Sequence, residues 1–265
     1  MKTTPRISAI LHTQVLDSSI TGLASFSLSS LGLPAKLAVE LPTNLRLGHL
    51  AEKAVSELLK TSSNYEVLHE NLQIIEERDT IGELDFIIQE VESAQVIHLE
   101  LAYKFYLYDP QLSLKPINCW IGPNRNDSLI EKLDKLKEKQ FPMLHHPATK
   151  AALRPLNTNE ISQALCLLAS LYVPYGQTTD FANSYQAAIK GYYLDNATLL
   201  RLDNSGKQYY VPDKKEWGMD PSEHRRWSPL EDISAQINTS LEEQRAVLCW
   251  QKEGAEYLEY FVVWW

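Results

Sequence analysis

Two neighbouring segments decide the fold: GELDFIIQE at 82–90 and QVIHLELAYKFYLY at 95–108, separated by a turn at 91–93. In the second segment apolar and polar side chains alternate with a period of two, which is typical of a β-strand. We therefore predict a pair of adjacent strands. The face that we expect to be buried consists of Ile97, Leu99, Leu101, Tyr103, Phe105 and Leu107.

Further elements are predicted on both sides of this strand pair. The segment NLRLGHLAEKAVSELLK carries apolar residues at helical spacing, and Asn44 is its candidate N-cap. The predicted elements are a helix over 44–60, a strand over 65–77, a charged helix over 128–141 closed by Pro142, a helix over 159–172, and hairpins at 203–206 and 252–256. Together they predict an α/β (α+β) fold with a mixed sheet flanked by helices.

The chain is expected to divide into three regions. Residues 1–44 form an N-terminal helical and loop segment, residues 45–150 form the core that carries the strand pair, and residues 151–265 form a smaller C-terminal α+β region. The Pro-containing stretch at 145–160 is the candidate linker.

Composition and charge exclude several classes of protein. The 265 residues are 44% hydrophobic and 22% charged, which is ordinary for a globular protein with a sizeable core. The net charge of -9 argues against coating nucleic acid through bulk positive charge, although one local basic groove is compatible with it. We expect no secretory signal, because the first residues have no adequate apolar stretch, and no apolar stretch of the sequence is long enough to predict a membrane span.

The cysteines indicate a reducing compartment. Cys119, Cys166 and Cys249 lie far apart and form no CxxC motif, so neither a disulfide framework nor a thiolate zinc site is encoded. Reduced thiols are typical of the cytoplasm, where we expect this protein. No phosphate-binding, dinucleotide-binding, nucleophile-elbow or HExxH motif occurs in the sequence.

The residues that suggest chemistry are Asp85 on the first strand, and Glu100 and Lys104 on the second. Two carboxylates on the same side of adjacent strands can share a hard cation such as Mg²⁺, which prefers oxygen ligands. An acid within the apolar run IHLELAYKFYL is costly to bury unless it is paired or bound to metal. A cross-strand ion-pair network on a solvated sheet face would explain the same residues.

Longer motifs add a resemblance to known families. GELDF, followed by HLELAYK and preceded by a helix bearing LGHLAEKAV, resembles the PD-(D/E)XK nuclease superfamily. More narrowly, HLELAYKFYL followed by WIGPN and a Leu/Lys-rich helix ending in Gln140 is similar to a bacterial family known as domain of unknown function 1853. The narrow resemblance covers roughly residues 45–145 and, more loosely, the chain beyond.

The superfamily resemblance implies a role for each matching residue. Glu52 would be the acid of the first helix, Asp85 and Glu100 would hold Mg²⁺ or Mn²⁺ with the help of the Leu101 carbonyl, and Lys104 would be the catalytic lysine. The superfamily usually places its lysine two residues after the second acid, where this chain has Ala102. On the charged helix, Gln140 resembles a glutamine that some nuclease branches use to contact the site, and Gln140 and Lys132 are the candidate nucleic-acid contacts. A solvated helix face would also explain the lysines.

These expectations lead to one preferred function and two alternatives. The preferred function is metal-dependent hydrolysis of phosphodiester bonds in DNA or RNA. The first alternative is a protein of the same fold that lacks turnover and binds nucleic acid or a protein partner, which the displaced lysine and the acidic net charge favour. The second is a binder or hydrolase of a small phosphorylated ligand.

Overall fold

The two strands predicted first are present and pair with each other, and the second of them crosses the boundary between the two units of the chain. A computed structural model describes residues 5–177, 181–202 and 204–265. The first unit comprises the described residues of Met1–Tyr103 and of Glu131–Leu168, and the second comprises those of Lys104–Ile130 and of Ala169–Trp265. The predicted boundaries at 44 and 150 stay predictions.

The described residues form α-helices of different lengths, together with short 3₁₀ segments and a π-helical segment. The α-helices are α1 (Pro5–His12), α2 (Ser18–Thr21), α3 (Leu47–Thr61), α4 (Leu129–Lys135), α5 (Phe141–Met143), α6 (Pro147–Ala152), α7 (Asn183–Gln186), α8 (Asn196–Arg201) and α9 (Leu230–Glu242). A π-helical segment, Leu136–Gln140, joins α4 to α5.

The strands alternate with these helices along the chain. They are β1 (Tyr65–Glu76), β2 (Asp79–Glu90), β3 (Val96–Tyr108), β4 (Trp120–Ile121), β5 (Ser162–Pro174), β6 (Ile189–Asp195), β7 (Gln208–Tyr210), β8 (Val247–Glu253) and β9 (Glu256–Val263). The chain is therefore an α/β protein, as predicted.

In the first unit the strand order is β1-β2-β3-β5. β1 pairs antiparallel with β2, and β2 pairs antiparallel with β3. Helix α3 packs its apolar face, including Ala54, Val55 and Leu58, into the same core as Phe86 and Leu99. Each large aliphatic side chain buried in this way contributes about 1.5–3 kcal/mol relative to exposure. The predicted amphipathic helix is confirmed, but it begins at Leu47, so Asn44 does not cap it.

Both faces of β3 are buried in the first unit. The face of Leu99 and Leu101 meets the core, as predicted. His98 and Glu100 on the other face are also fully buried, because the Phe141 ring packs on His98 with centroids 5.6 Å apart and further side chains cover this face. A solvated sheet face is therefore ruled out at Glu100.

In the second unit the strand order is β5-β6-β9-β8-β7, and β4 pairs with the end of β3. β5 with β6 and β6 with β9 are parallel pairs, whereas β9 with β8 and β8 with β7 are antiparallel, so this sheet is mixed. Helices α8 and α9 bury Leu199, Ile233 and Ile237 in one core with Val247 and Tyr209. The mixed sheet predicted from the sequence is confirmed.

Of three further predicted elements, two differ from the structure. The predicted helix at 159–172 is strand β5, because its apolar run is buried on both faces and so carries no period that distinguishes helix from strand. The predicted hairpin at 203–206 is wrong, because the residues before it form α8, whose N-cap Asp195 accepts a hydrogen bond from the Thr198 N–H at 2.6 Å; Asp203 lies outside the described residues. The hairpin at 252–256 is confirmed.

The predicted charged helix is present, but it is not a regular α-helix over its whole length. It begins at Leu129, widens into the π-helical segment, and continues past Pro142 to Met143. Pro142 is tolerated there because it stands in the first turn of α5, where no backbone donor is needed.

Candidate acidic site

The structure brings Asp85 and Glu100 near each other in the first unit. The β2–β3 pairing ends at Phe86 and Leu99, and Asp85 and Glu100 are the next residues of the two strands beyond that pair. Asp85 Oδ2 accepts a hydrogen bond from the Leu101 N–H at 2.8 Å. A side-chain oxygen therefore takes the place of a backbone carbonyl at this end of the ladder and fixes the Asp85 carboxyl beside β3.

The electrostatics of Asp85 show that the two acids affect each other. Burial, followed by the charge of Glu100, raises the pKa of Asp85 from 3.8 to about 7. The Leu101 N–H and the charge of Lys132 lower this pKa, and the charge of Glu52 raises it. Two negative charges held close together in a poorly hydrated place favour the uptake of a proton or a cation.

Glu100 is fixed by two hydrogen-bond donors. Its side chain is 0% exposed. His98 Nε2 lies 2.9 Å from Oε1, and Gln140 Nε2 donates to Oε2 at 2.5 Å. Gln163 Nε2 lies 3.2 Å from His98 Nδ1, and its other hydrogen goes to the Phe141 carbonyl oxygen at 2.7 Å. An amide N–H donates to Nδ1, so Nε2 carries the His98 proton and donates it to Glu100.

The charged helix also reaches this site. Gln140, at the end of the π-helical segment, donates to Glu100 and accepts a hydrogen bond from Lys132 Nζ at 3.0 Å. Lys132 and Gln140 were expected to contact nucleic acid; the structure joins both to the acid pair, and their role toward a nucleic acid stays a prediction.

Glu52 lies on α3, and its charge reaches Asp85. Its carboxylate is 43% exposed and accepts a hydrogen bond from His49 Nδ1 at 3.0 Å. The hydrogen-bond partner of Glu52 is thus a histidine of the same helix, and its role as the first-helix acid stays a prediction.

Lys104 has a different partner from the one expected. It belongs to the second unit, where its Nζ donates to Asp127 Oδ2 at 2.7 Å. Both side chains of this ion pair are partly exposed. Ala102, at the usual position of the superfamily lysine, is buried.

His98 and Gln163 were not identified from the sequence. They lie 65 residues apart along the chain, and a single His or Gln within an apolar strand carries no motif. The one local signal is the spacing of His98 and Glu100, which puts both side chains on the same face of β3.

Asp85 and Glu100 are the carboxylates that this site could offer to a hard divalent ion. Among the described residues no group of three or more His, Cys, Asp and Glu side chains is placed to hold a metal. Mg²⁺ commonly takes one or two carboxylates and completes its shell with water and substrate phosphate. Both Glu100 oxygens already accept hydrogen bonds, from His98 and Gln140, so a bound ion would share these oxygens with the two donors.

The fold and the site together define an α/β protein in which a half-buried and a fully buried carboxylate lie on neighbouring strands. The family model "Domain of unknown function (DUF1853)" matches residues 13–263, and the chain belongs to this family. No curated protein and no solved structure matches the chain significantly. Within the described residues, every helix is too short or too polar to cross a bilayer.

Proposed function

We propose that this protein is a divalent-metal-dependent hydrolase of phosphodiester bonds in DNA or RNA. The observation that supports this proposal is the placement of Asp85 and Glu100 just beyond the last residue pair of β2 and β3, where Glu100 is fully buried, Asp85 is half-buried and the charge of Glu100 raises the pKa of Asp85. A structural role alone does not require two acids to share such a place, because their mutual repulsion opposes folding when both are ionised.

In this proposal two residues of the site bind the metal and two others orient one of the ligands. Asp85 and Glu100 would hold Mg²⁺ or Mn²⁺ through carboxylate oxygens. A bound ion of this kind polarises a phosphoryl oxygen and lowers the pKa of a bound water. His98 and Gln140 keep the Glu100 carboxylate in one orientation, as the outer partners of metal ligands generally do.

A cytoplasmic location is part of the proposal. Cys119, Cys166 and Cys249 are free and buried. Burial raises the pKa of the Cys166 and Cys249 thiols to about 12, so they are unreactive thiols in the folded protein. Buried reduced cysteines are typical of proteins of a reducing compartment.

The test is turnover of polynucleotides by the purified protein. Plasmid DNA, single-stranded DNA and RNA are each incubated with Mg²⁺ or Mn²⁺, and we expect cleavage that EDTA abolishes. Asp85→Asn or Glu100→Gln should lower the rate about 100-fold or more, whereas Asp134→Asn, which removes an exposed charge on α4, should keep it. Wild-type protein that cleaves none of these substrates with either metal would contradict the proposal.

A second candidate function is binding of nucleic acid without turnover. It is favoured by the ion pair of Lys104 with Asp127, together with Ala102 at the usual lysine position. A protein of this kind would retain labelled DNA or RNA in EDTA, and Asp85→Asn would leave that binding in place. Retention that requires a divalent ion would contradict this second function.

A further inference from the structure

A continuous chain of hydrogen bonds joins an amine to the acid pair. Lys132 Nζ donates to Gln140 Oε1 at 3.0 Å, and Gln140 Nε2 donates to Glu100 Oε2 at 2.5 Å. We infer that Lys132 supplies the ammonium group of the acidic site and that Gln140 is the positioning residue that holds it there. This inference rests on the proposed function and names a catalytic residue for it.

The two ends of the Gln140 side chain can serve only this arrangement. A carboxylate accepts hydrogen bonds and an ammonium group donates them. The amide therefore turns its N–H₂ to Glu100 and its oxygen to Lys132, and it links two groups of opposite charge without neutralising either. Neither Leu nor Glu at this position would make both contacts.

The π-helical segment explains how Lys132 and Gln140 meet. In a regular α-helix of 3.6 residues per turn, side chains eight positions apart diverge by about 80° around the axis. The wider turn over Leu136–Gln140 takes up the excess rotation and brings both side chains to one face. Such wide turns are frequent at functional sites.

The charge pattern agrees with this role. The positive charge of Lys132 lowers the pKa of Asp85, whereas burial and the charges of Glu100 and Glu52 raise it. The lysine expected from the sequence, Lys104, donates instead to Asp127 at 2.7 Å. A cation aimed at a site where negative charge develops on a phosphoryl group stabilises the transition state.

The test compares lysine variants in the polynucleotide assay. Lys132→Met should lower the turnover rate about 100-fold or more, and Lys132→Arg, which keeps the charge, should lower it less. The same substitution at Lys104 should have a smaller effect than at Lys132. Lys135→Met is the matched control, because it removes an exposed lysine from the same helix, and it should keep the wild-type rate.

Gln140→Leu tests the positioning role and serves as the second variant should Lys132→Met fold poorly. Without Gln140 the ammonium group is no longer held beside the acids, so Gln140→Leu should lower the turnover rate. In a Lys132→Met background the same change should lower the rate less than it does in the wild type, because the ammonium group that Gln140 holds is already gone. A merely structural effect of Gln140→Leu would lower the rate by the same factor in both backgrounds.

Binding of Mn²⁺ alone gives a readout that does not need turnover. Calorimetric titration at pH 8.5 should show that Lys132→Met binds Mn²⁺ about threefold tighter or more, because a nearby positive charge has been removed. Lys135→Met should bind Mn²⁺ as the wild type does.

The outcomes separate this inference from the proposed function. If Asp85→Asn abolishes cleavage while Lys132→Met retains the rate and Mn²⁺ affinity of the wild type, the role of Lys132 is wrong and the hydrolase stands. If the wild type cleaves no polynucleotide with either metal, the proposed function and the role of Lys132 fall together.

Discussion

Replacement of Asp85 by Asn should make the protein more stable, and more so at high pH. In the folded protein the pKa of Asp85 is raised to about 7, whereas its ordinary value is 3.8. The folded state therefore binds the proton more tightly than the unfolded state does, so stability is fully present below pH 3.8 and is lost as the pH rises through 7. Asn carries no charge, and its side-chain oxygen can still accept from the Leu101 N–H.

The size of the effect follows from the pKa difference. One pKa unit corresponds to about 1.4 kcal/mol, so ionisation of Asp85 opposes folding by up to about 4 kcal/mol at pH 8. More than half of this loss falls between pH 5 and pH 8, because the unfolded state is already ionised at pH 5. The free energy of unfolding of Asp85→Asn relative to wild type should therefore grow by about 2–3 kcal/mol over this interval.

Urea unfolding of both proteins at pH 5 and pH 8 in EDTA measures this difference. Asp134→Asn is the control, because its carboxylate is exposed on the surface of α4. Addition of Mg²⁺ at pH 8 should raise the unfolding temperature of the wild type and not that of Asp85→Asn, since an ion bound only to the folded state stabilises it. An advantage of Asp85→Asn that is equal at the two pH values would refute the electrostatic reasoning.

Two other features of the structure lead to measurable predictions. Burial raises the pKa of Glu259 to about 7, although the hydrogen bond that Tyr172 Oη donates to Glu259 Oε2 at 2.7 Å lowers it. Tyr172→Phe should therefore raise the pKa of Glu259 further. NMR titration of the carboxyl group measures this, and an unchanged pKa would contradict the prediction. Gly48→Ala should stabilise α3 by up to about 1 kcal/mol, because nothing lies within 4 Å of the added Cβ. Gly191→Ala should destabilise the protein, and by more than Gly48→Ala stabilises it, because the added Cβ would lie 2.2 Å from the Glu259 carbonyl oxygen. Thermal unfolding measures both variants, and an unfolding temperature that is higher for Gly191→Ala than for Gly48→Ala would refute both predictions.

Local patterns in the sequence identified the acid pair. The alternation in β3 puts Glu100 opposite the core-facing side chains, and the short turn before it brings β2 alongside, so Asp85 and Glu100 were expected on one side of a strand pair. The same reasoning found α3, because an apolar arc at helical spacing needs a core to pack against. These features depend on residues close together in the chain.

Where a buried segment has no polar face, the pattern was insufficient. The residues of β5 are apolar on both sides, so the choice between helix and strand was made by the neighbours that cover it. The burial of His98 and Glu100 likewise depends on Phe141 and Gln163, which come from distant parts of the chain.

The sequence by itself determined the family, the α/β class and the two carboxylates, because short-range periodicity and motif spacing carry that information. Only the tertiary structure decided which groups surround them. In the folded chain His98 and Gln140 are the hydrogen-bond donors of Glu100, and Gln140 links Lys132 to Glu100 across a widened helical turn. Lys104 forms an ion pair with Asp127 instead. Partners far apart in the chain leave no spacing to read, since packing of the elements alone brings them within hydrogen-bond distance.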